Sequence, residues 1–447
     1  MMNSDLRVLI IAEHASLNFG GEAALPLHYF RVLRNRGMEA WLIVHERTKT
    51  ELHARFPEDI DRIYFIPDTV WHRLLFKVSR FLPHKVHFFT FGFLLRLLTQ
   101  VSQRGLAKNI IKDKKIHVVH QPIPVSPKDP SMLFGLGVPV VIGPMNGGMN
   151  YPPAFRKMEG GLVKAVIGFG RAVSSFMNVV IPGKAKATTL LVANVRTRDA
   201  LPTSVRKVPT IELVENGVDL SLWKKDLSKK IAPKEEKFQE KDRPDFTRFV
   251  FIGRLVDWKA VDLLIIAFAK LLEKIPARLD IIGEGDQKAN LEEVARNLGL
   301  ISPSNELNPD PSQAKLRFLG WLSQAECAKQ LQGSDVLVLP SLNECGGAVV
   351  LEAMALSLPV IATNWGGPAD YLDESCGILV NPDSREGLID GLAAAMFDLA
   401  NSPELRRSMG KAGAEKVVNC FDWEKKGDKI LEIYQDSIDR YAKGQKR

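Results

Sequence analysis

The sequence predicts an α/β chain of two doubly wound parallel-sheet domains with a cleft between them. Three observations lead there. Short, apolar, β-branched runs alternate with helical patterns along the 447 residues. Each half opens on such a run that ends in a glycine-bearing turn and continues into a helix, the start of a βαβ unit. Between the halves, residues 224–246 are almost all charged and offer little to bury, so they read as a linker. Both halves are therefore expected to be Rossmann-like, with ligands at the carboxyl ends of their strands.

In the first half, residues 6–13 (LRVLIIAE) read as a buried strand, too short for a helix of this composition. The loop Asn18-Phe19-Gly20-Gly21-Glu22 follows, then a helix over about 23–36 and a strand over 40–45. Further strands are expected at 62–66, 116–120, 138–142, 176–181, 188–192 and 208–213. In the second half, strands are expected at 248–255, 278–285, 316–320, 335–340, 359–364 and 377–380. Helices are expected between them at 261–274, 287–298, 323–332 and 346–357, and three more at about 384–400, 403–418 and 422–442. The division is 1–223, linker 224–246, and 247–421, with a last helix over about 422–447 expected to return to the first domain.

Composition narrows the function. Hydrophobic residues make up 45% of the chain, enough for real cores and too many for a disordered or collagen-like protein. The four cysteines form no CxxC pair, which fits a reducing compartment. No run of eighteen apolar residues is present, and the opening MMNSDLRVLIIAEHAS reads as a strand rather than a leader, so a cytoplasmic location is expected. The net charge of +8 is uneven: residues 1–220 carry 29 basic and 17 acidic side chains, the remainder 31 and 35. Residues 71–115 interleave ten Lys or Arg with Trp71, Leu74, Leu75, Phe76, Phe81 and further aromatics against the single acid Asp113. Such a segment suits an anionic membrane surface, on the inner face of the cytoplasmic membrane, or else is a pair of buried helices with solvated outer charges. No recognition module for nucleic acid accompanies the charge.

The sharpest local feature is Pro340-Ser341-Leu342-Asn343-Glu344-Cys345-Gly346-Gly347, a strand end followed by two glycines that open a helix carrying Glu352. Gly346 and Gly347 allow a ligand close to backbone amides, and the helix start favours a phosphate. Glu344 and Glu352 suit the hydroxyls of a sugar and a ribose. Gly253-Arg254 ends an earlier strand and Lys259 follows, a fork and a point charge able to straddle a diphosphate. Gly283-Glu284-Gly285 and Asn364-Trp365-Gly366-Gly367 end two more strands. The nicotinamide fingerprint and the P-loop are absent, and no Asp-x-Asp metal site lies near a predicted strand end.

In this order the motifs GR…K, GEG, E-x7-E and NWGG resemble the donor half of the retaining, two-domain glycosyltransferases of family 4, which have the GT-B fold. The resemblance covers almost the whole chain. It implies that Arg254 and Lys259 bind the donor diphosphate, that Glu344 contacts the transferred sugar, and that Glu352 binds the ribose hydroxyls. It also implies that the amides at Gly346 and Gly347 face the sugar and phosphates. Two positions depart from the family: Cys345 stands where Phe is common, and Ala260 where Gly often follows the Lys. In the first half, His120 ends a strand and inherits a catalytic or sugar-positioning role. Gly20 and Gly21 resemble the loop that approaches donor or acceptor, and Asn146 is a candidate acceptor contact. The implied reaction moves a hexose-type sugar from a UDP- or GDP-sugar to a saccharide or lipid-linked acceptor with retention, and needs no tightly bound cofactor. A nucleotide-sugar epimerase of the same fold and a nucleotide-sugar-binding partner without turnover are the alternatives.

Overall fold

A computed structural model describes residues 5–79, 91–159, 174–223, 246–301 and 315–445. The 224–246 linker lies outside the described residues except for its last position. The chain divides into two compact units. The first takes Met1–Gly148, Gly161–Asn216 and Trp423–Arg447, and the second Met149–Gly160 and Gly217–Asp422.

The first unit holds seven strands: β1 Arg7–Ile11, β2 Glu39–His45, β3 Ile63–Ile66, β4 Val118–Gln121, β5 Val140–Met145, β6 Thr189–Val192 and β7 Thr210–Glu212. All are parallel, in the order β3-β2-β1-β4-β5-β6-β7. Side chains alternate across a strand, so a sheet covered on both faces needs apolar residues at every position. That is why RVLII contains no polar alternation. Val8 and Ile10 join one core with Tyr29, Phe30 and Leu33 of the helix Gly21–Asn35. Leu9 and Ile11 join the other, with Ala107, Ile110 and Ile111 of the helix Phe91–Asp113.

The terminal helix Trp423–Gln445 completes the first of these cores through Trp423, Ile430, Leu431, Ile433 and Tyr434. Burying each such side chain contributes about 1.5–3 kcal/mol, so this helix is integral to the unit. Polar contacts fix its register. Arg36 meets Asp428 (2.7 Å), Ser437 shares a hydrogen bond with Thr189 (2.7 Å), and Lys426 donates to the Val214 carbonyl. Trp423 stacks on His28 at 4.8 Å.

The second unit holds β8 Thr247–Ile252, β9 Ala277–Ile282, β10 Leu316–Gly320, β11 Val336–Leu339, β12 Val360–Thr363 and β13 Gly377–Val380. Their order is β10-β9-β8-β11-β12-β13, again wholly parallel. Both sheets thus reverse direction beside their first strand, the point at which open α/β sheets take ligands. One expected element is corrected: 176–181 is not a strand, because residues 174–180 are helical. The β-branched run Val179-Val180-Ile181 favours a strand locally, yet Phe176, Val179 and Val180 are exposed and lie outside the sheet.

Candidate active site

Five strand-end loops of the second unit are laced together by backbone hydrogen bonds. After β8, Gly253 N–H donates to the Ile282 carbonyl (3.0 Å) and Leu255 N–H to that of Glu284 (2.9 Å). Gly283 N–H donates to the Gly320 carbonyl at the end of β10 (2.8 Å). Leu342 N–H, past β11, donates to the Trp258 carbonyl (2.8 Å), and Gly367 N–H, past β12, to that of Glu344 (2.8 Å). Each motif singled out in this half is therefore a segment of one continuous rim.

The glycines have a steric reason. A Cβ on Gly283 would lie 1.9 Å from the Gly253 carbonyl oxygen, and one on Gly285 2.1 Å from that of Leu255. Cβ atoms on Gly366 and Gly367 would meet the Glu344 oxygen at 2.3 Å and the Gly346 oxygen at 2.2 Å. These four glycines let backbone pack on backbone, a role separate from ligand approach. Ala260 adopts φ +50°, the left-handed region that the frequent glycine at this position would enter freely.

Charges gather on this rim. Lys259, on the turn Asp257–Lys259, forms an ion pair with Glu344, and the two side chains are only 15% and 16% exposed. Eighty-five residues separate them in sequence, and the β8–β11 pairing brings their loops side by side. Arg254 is exposed, and its guanidinium has no hydrogen bond or ion pair among the described residues. Gly253 is held against the Lys259 stem: a Cβ there would lie 3.8 Å from Lys259 Cε and 3.1 Å from Phe251 Cζ. Gly347, at φ +81°, caps the helix Ala348–Ala355, and the neighbouring Gly346 is buried. Glu284 is engaged by Lys288 (2.7 Å). The exposed Trp321, immediately after β10, was missed in sequence reasoning. A large aromatic directly after a strand end is the signal that could have found it.

Glu352 lies one turn into the helix Ala348–Ala355 and is half-buried. Burial pushes its carboxyl pKa up to about 7, against the opposing effect of a hydrogen bond from Gln324. Glu344 and Glu352 thus have distinct partners, a cation for one and a neutral amide for the other.

In the first unit, His120 on β4 is fully buried, and both ring nitrogens are occupied. Nε2 donates to the Gly143 carbonyl (2.6 Å), and Nδ1 accepts from the Tyr434 hydroxyl (2.7 Å) on the terminal helix. Burial lowers its pKa to about 4, with the Gly143 bond acting in the opposite direction. In this arrangement His120 positions the β5 turn and the terminal helix, and a sugar contact would require exchange of one of the two bonds. Tyr434→Phe should leave Nδ1 buried without a partner and cost about 1–3 kcal/mol, read as a lower urea midpoint. Gly20 (φ +96°) and Gly21 face open space, with Glu22 beside them accepting from Val125 N–H (2.9 Å). Asn146 is buried and donates to Glu215 (2.7 Å).

Comparison with known proteins finds chains similar to this one. Residues 233–416, which contain the whole rim, match the family model of glycosyl transferases group 1. A D-inositol 3-phosphate glycosyltransferase of Corynebacterium diphtheriae is 32% identical over 213 residues, 44% of this chain and 46% of that protein. A GDP-mannose-dependent monoacylated alpha-(1-6)-phosphatidylinositol monomannoside mannosyltransferase of Corynebacterium glutamicum is 28% identical over 239 residues, 51% and 56% of the two chains. The chain spans about half the length of these relatives. Over 96% of its length it superposes on HepE of Anabaena, solved in complex with UDP, at TM-score 0.60 and 14% identity, covering 100% of that chain. The fold is that of the GT-B glycosyltransferases: two Rossmann-like parallel-sheet units.

Proposed function

We propose that the protein is a retaining glycosyltransferase that takes a hexose-type sugar from a nucleoside-diphosphate sugar, UDP-linked in the first instance, to an acceptor hydroxyl. The observation that carries this reading is the half-buried Lys259–Glu344 pair on the laced rim, with the exposed Arg254, unpaired among the described residues, earlier on the same strand-end loop. Arg254 and Lys259 bind the diphosphate, and the amides at Gly346 and Gly347 receive the phosphate and sugar oxygens. Glu344 accepts from the sugar hydroxyls once Lys259 turns to the donor, and Glu352 accepts from the ribose. Trp321 offers a face on which the base can stack. HepE's complex with UDP and the group 1 family match support the choice of donor.

In the transfer, the bond from the anomeric carbon to the diphosphate oxygen breaks and the bond to the acceptor oxygen forms on the same face. The acceptor proton passes to the departing phosphate oxygen. Charge grows on the diphosphate as this happens, so cations and amides aimed at it bind the transition state more tightly than the ground state. The deciding measurement is a screen of UDP-, GDP- and ADP-sugars for thermal stabilisation and slow hydrolysis by the purified protein. If a nucleoside diphosphate binds but no sugar is hydrolysed or transferred, the enzyme reading fails.

The Glu352 environment makes donor binding pH-dependent. The ionised carboxylate is the better acceptor for two ribose hydroxyls, and with a pKa of about 7 only the higher-pH form is fully competent. The nucleotide Kd is therefore expected to weaken roughly tenfold from pH 8 to pH 6, following the ionised fraction. Glu352→Gln should flatten that profile in calorimetry. The free protein responds in the opposite sense: a raised carboxyl pKa contributes stability that is full below the ordinary carboxyl range and is lost as pH rises through 7.

The acceptor side supports a membrane-proximal reading. The helices Val70–Ser79 and Phe91–Asp113 expose Val70, Trp71, Leu74, Leu94 and Val101 among basic residues. Residues 80–90, the centre of the basic aromatic stretch, lie outside the described residues. Among the described residues no helix is long and apolar enough to cross a membrane. Peripheral contact with anionic lipid predicts salt-sensitive co-sedimentation with phosphatidylglycerol vesicles, weakened several-fold by Trp71→Ala. Absence of binding would remove this part of the reading.

A further inference from the structure

One short piece of the first half of the sequence, Met149–Gly160, belongs by its packing to the second unit. Pro152 and Phe155 are buried, and Phe155 N–H donates to the Pro152 carbonyl (2.9 Å). The residues just before them form a strap that reaches the laced rim. The Asn150 carbonyl accepts from Trp365 Nε1–H (2.8 Å). The Met149 thioether lies against Gly366: a Cβ on that glycine would be 2.6 Å from Met149 Cε and 3.1 Å from its Sδ. The same Cβ would collide with the Glu344 carbonyl oxygen. Strap, turn and the main chain of Glu344 therefore meet at one point.

The turn after β12 is joined to its surroundings mainly through backbone. Asn364 N–H donates to the Val380 carbonyl and Trp365 N–H to that of Thr363 (both 2.7 Å), and Gly367 N–H donates to Glu344 (2.8 Å). A Cβ on Gly367 would collide with the Cys345 and Gly346 carbonyl oxygens, so the turn rests directly on the loop that carries Glu344. Gly366 holds φ +72° and ψ −143°, a conformation open to glycine and closed to most side chains. Backbone packed this closely has no rotamer with which to absorb movement, so a shift of the turn is passed to Glu344.

The strap adds two side-chain ties to this backbone contact. An indole has one donor and no acceptor, so Trp365 either makes its bond to Asn150 or leaves its nitrogen to water. Trp365 is half-buried and Asn150 is exposed, so both groups have solvent to turn to. Breaking the bond therefore costs little stability while it frees the turn. Met149 is the unbranched, adaptable side chain that fills the space beside a glycine which can carry none of its own.

We infer that Trp365 and Met149 are positioning residues that fasten the Trp365–Gly367 turn to the strap and thereby hold Glu344 and the Gly346 amide where the donor's sugar meets them. The inference rests on the transferase reading and extends it to two residues outside the set assigned above to the donor. Groups that act on a transition state must be held to within about 0.5 Å. Misplacement by about 1 Å can cost roughly 10²-fold in rate. Loosening the turn is therefore felt in turnover, whereas the diphosphate keeps Arg254 and Lys259 on a different loop.

The test compares the wild-type full chain with Trp365→Phe, which keeps a ring and removes the N–H, and with Met149→Ala and Met149→Leu. The donor probe is whichever of UDP-glucose, UDP-galactose, UDP-N-acetylglucosamine and GDP-mannose the wild type turns over fastest. The second probe is the matching nucleoside diphosphate alone. Trp365→Phe and Met149→Ala should each lower kcat for donor turnover roughly tenfold, with Kd for the free diphosphate within about twofold and the melting temperature held. Met149→Leu, of nearly the same volume, should stay close to wild type. Unchanged kcat in Trp365→Phe or in Met149→Ala overturns the inference, as does a Met149→Leu variant as impaired as Met149→Ala. A diphosphate affinity or melting temperature that falls in step with kcat also overturns it, because the residues would then support the unit as a whole. A wild type that binds the diphosphate and turns over none of the donors overturns the transferase reading itself, a separate outcome.

Discussion

Lys259→Ala is expected to lower kcat/KM for the nucleotide-sugar donor by roughly 10²–10³-fold, the loss typical of removing one preorganised group from a developing negative charge. Two effects add. The diphosphate loses a point charge held near it by the Gly253 turn, whose backbone packs on the Lys259 stem. Glu344, only 16% exposed, is left as a half-buried carboxylate without its cation. Lys259→Arg should recover only part of the rate, because a planar fork does not replace a compact ammonium at a site shaped for one. The measurement is steady-state donor turnover alongside nucleotide affinity. A loss arising wholly from a higher KM, with kcat unchanged, would mean that Lys259 binds ground and transition states equally.

Gly283→Ala should destabilise the second unit by about 3–5 kcal/mol, through backbone strain and overpacking together. The new Cβ would lie 1.9 Å from the Gly253 carbonyl oxygen, a backbone atom that no rotamer change can move, and φ is +138°. Relief requires the loops after β8 and β9 to separate. That breaks the hydrogen bond from Gly253 to Ile282 and displaces the segment leading to Arg254 and Lys259. Loss of donor binding should therefore accompany the drop in denaturation midpoint. Gly21→Ala is the control for fold stability, since no atom lies within 4 Å of the added carbon. Unchanged stability in Gly283→Ala would mean the rim is looser than its packing indicates.

Much of the second unit's rim was legible because its signals are local. A glycine pair after DVLVLP, a carboxylate before it, and an Arg–Lys spacing after the first strand each announce a strand-end loop by sequence alone. Two readings were beyond local information. The GEG motif is legible as a strand-end turn, but only the tertiary structure shows Gly283 and Gly285 making room for neighbouring backbone. Residues 176–181 have strand propensity that their position outside the sheet overrides.

The sequence by itself determined the class: two runs of alternating strands and helices, apolar enough on every strand to need cover on both faces, with loop chemistry suited to a diphosphate and hydroxyls. Periodicity, turn residues and burial preference act over a few residues, so they can be read without coordinates. Only the tertiary structure decided which loops are neighbours. Strand order 3-2-1-4-5-6 in each sheet, with a seventh strand added at the edge of the first, is a long-range fact, and it places Lys259 against Glu344 and opens β1 beside β4. It also decided that His120 is saturated by Tyr434, 314 residues away.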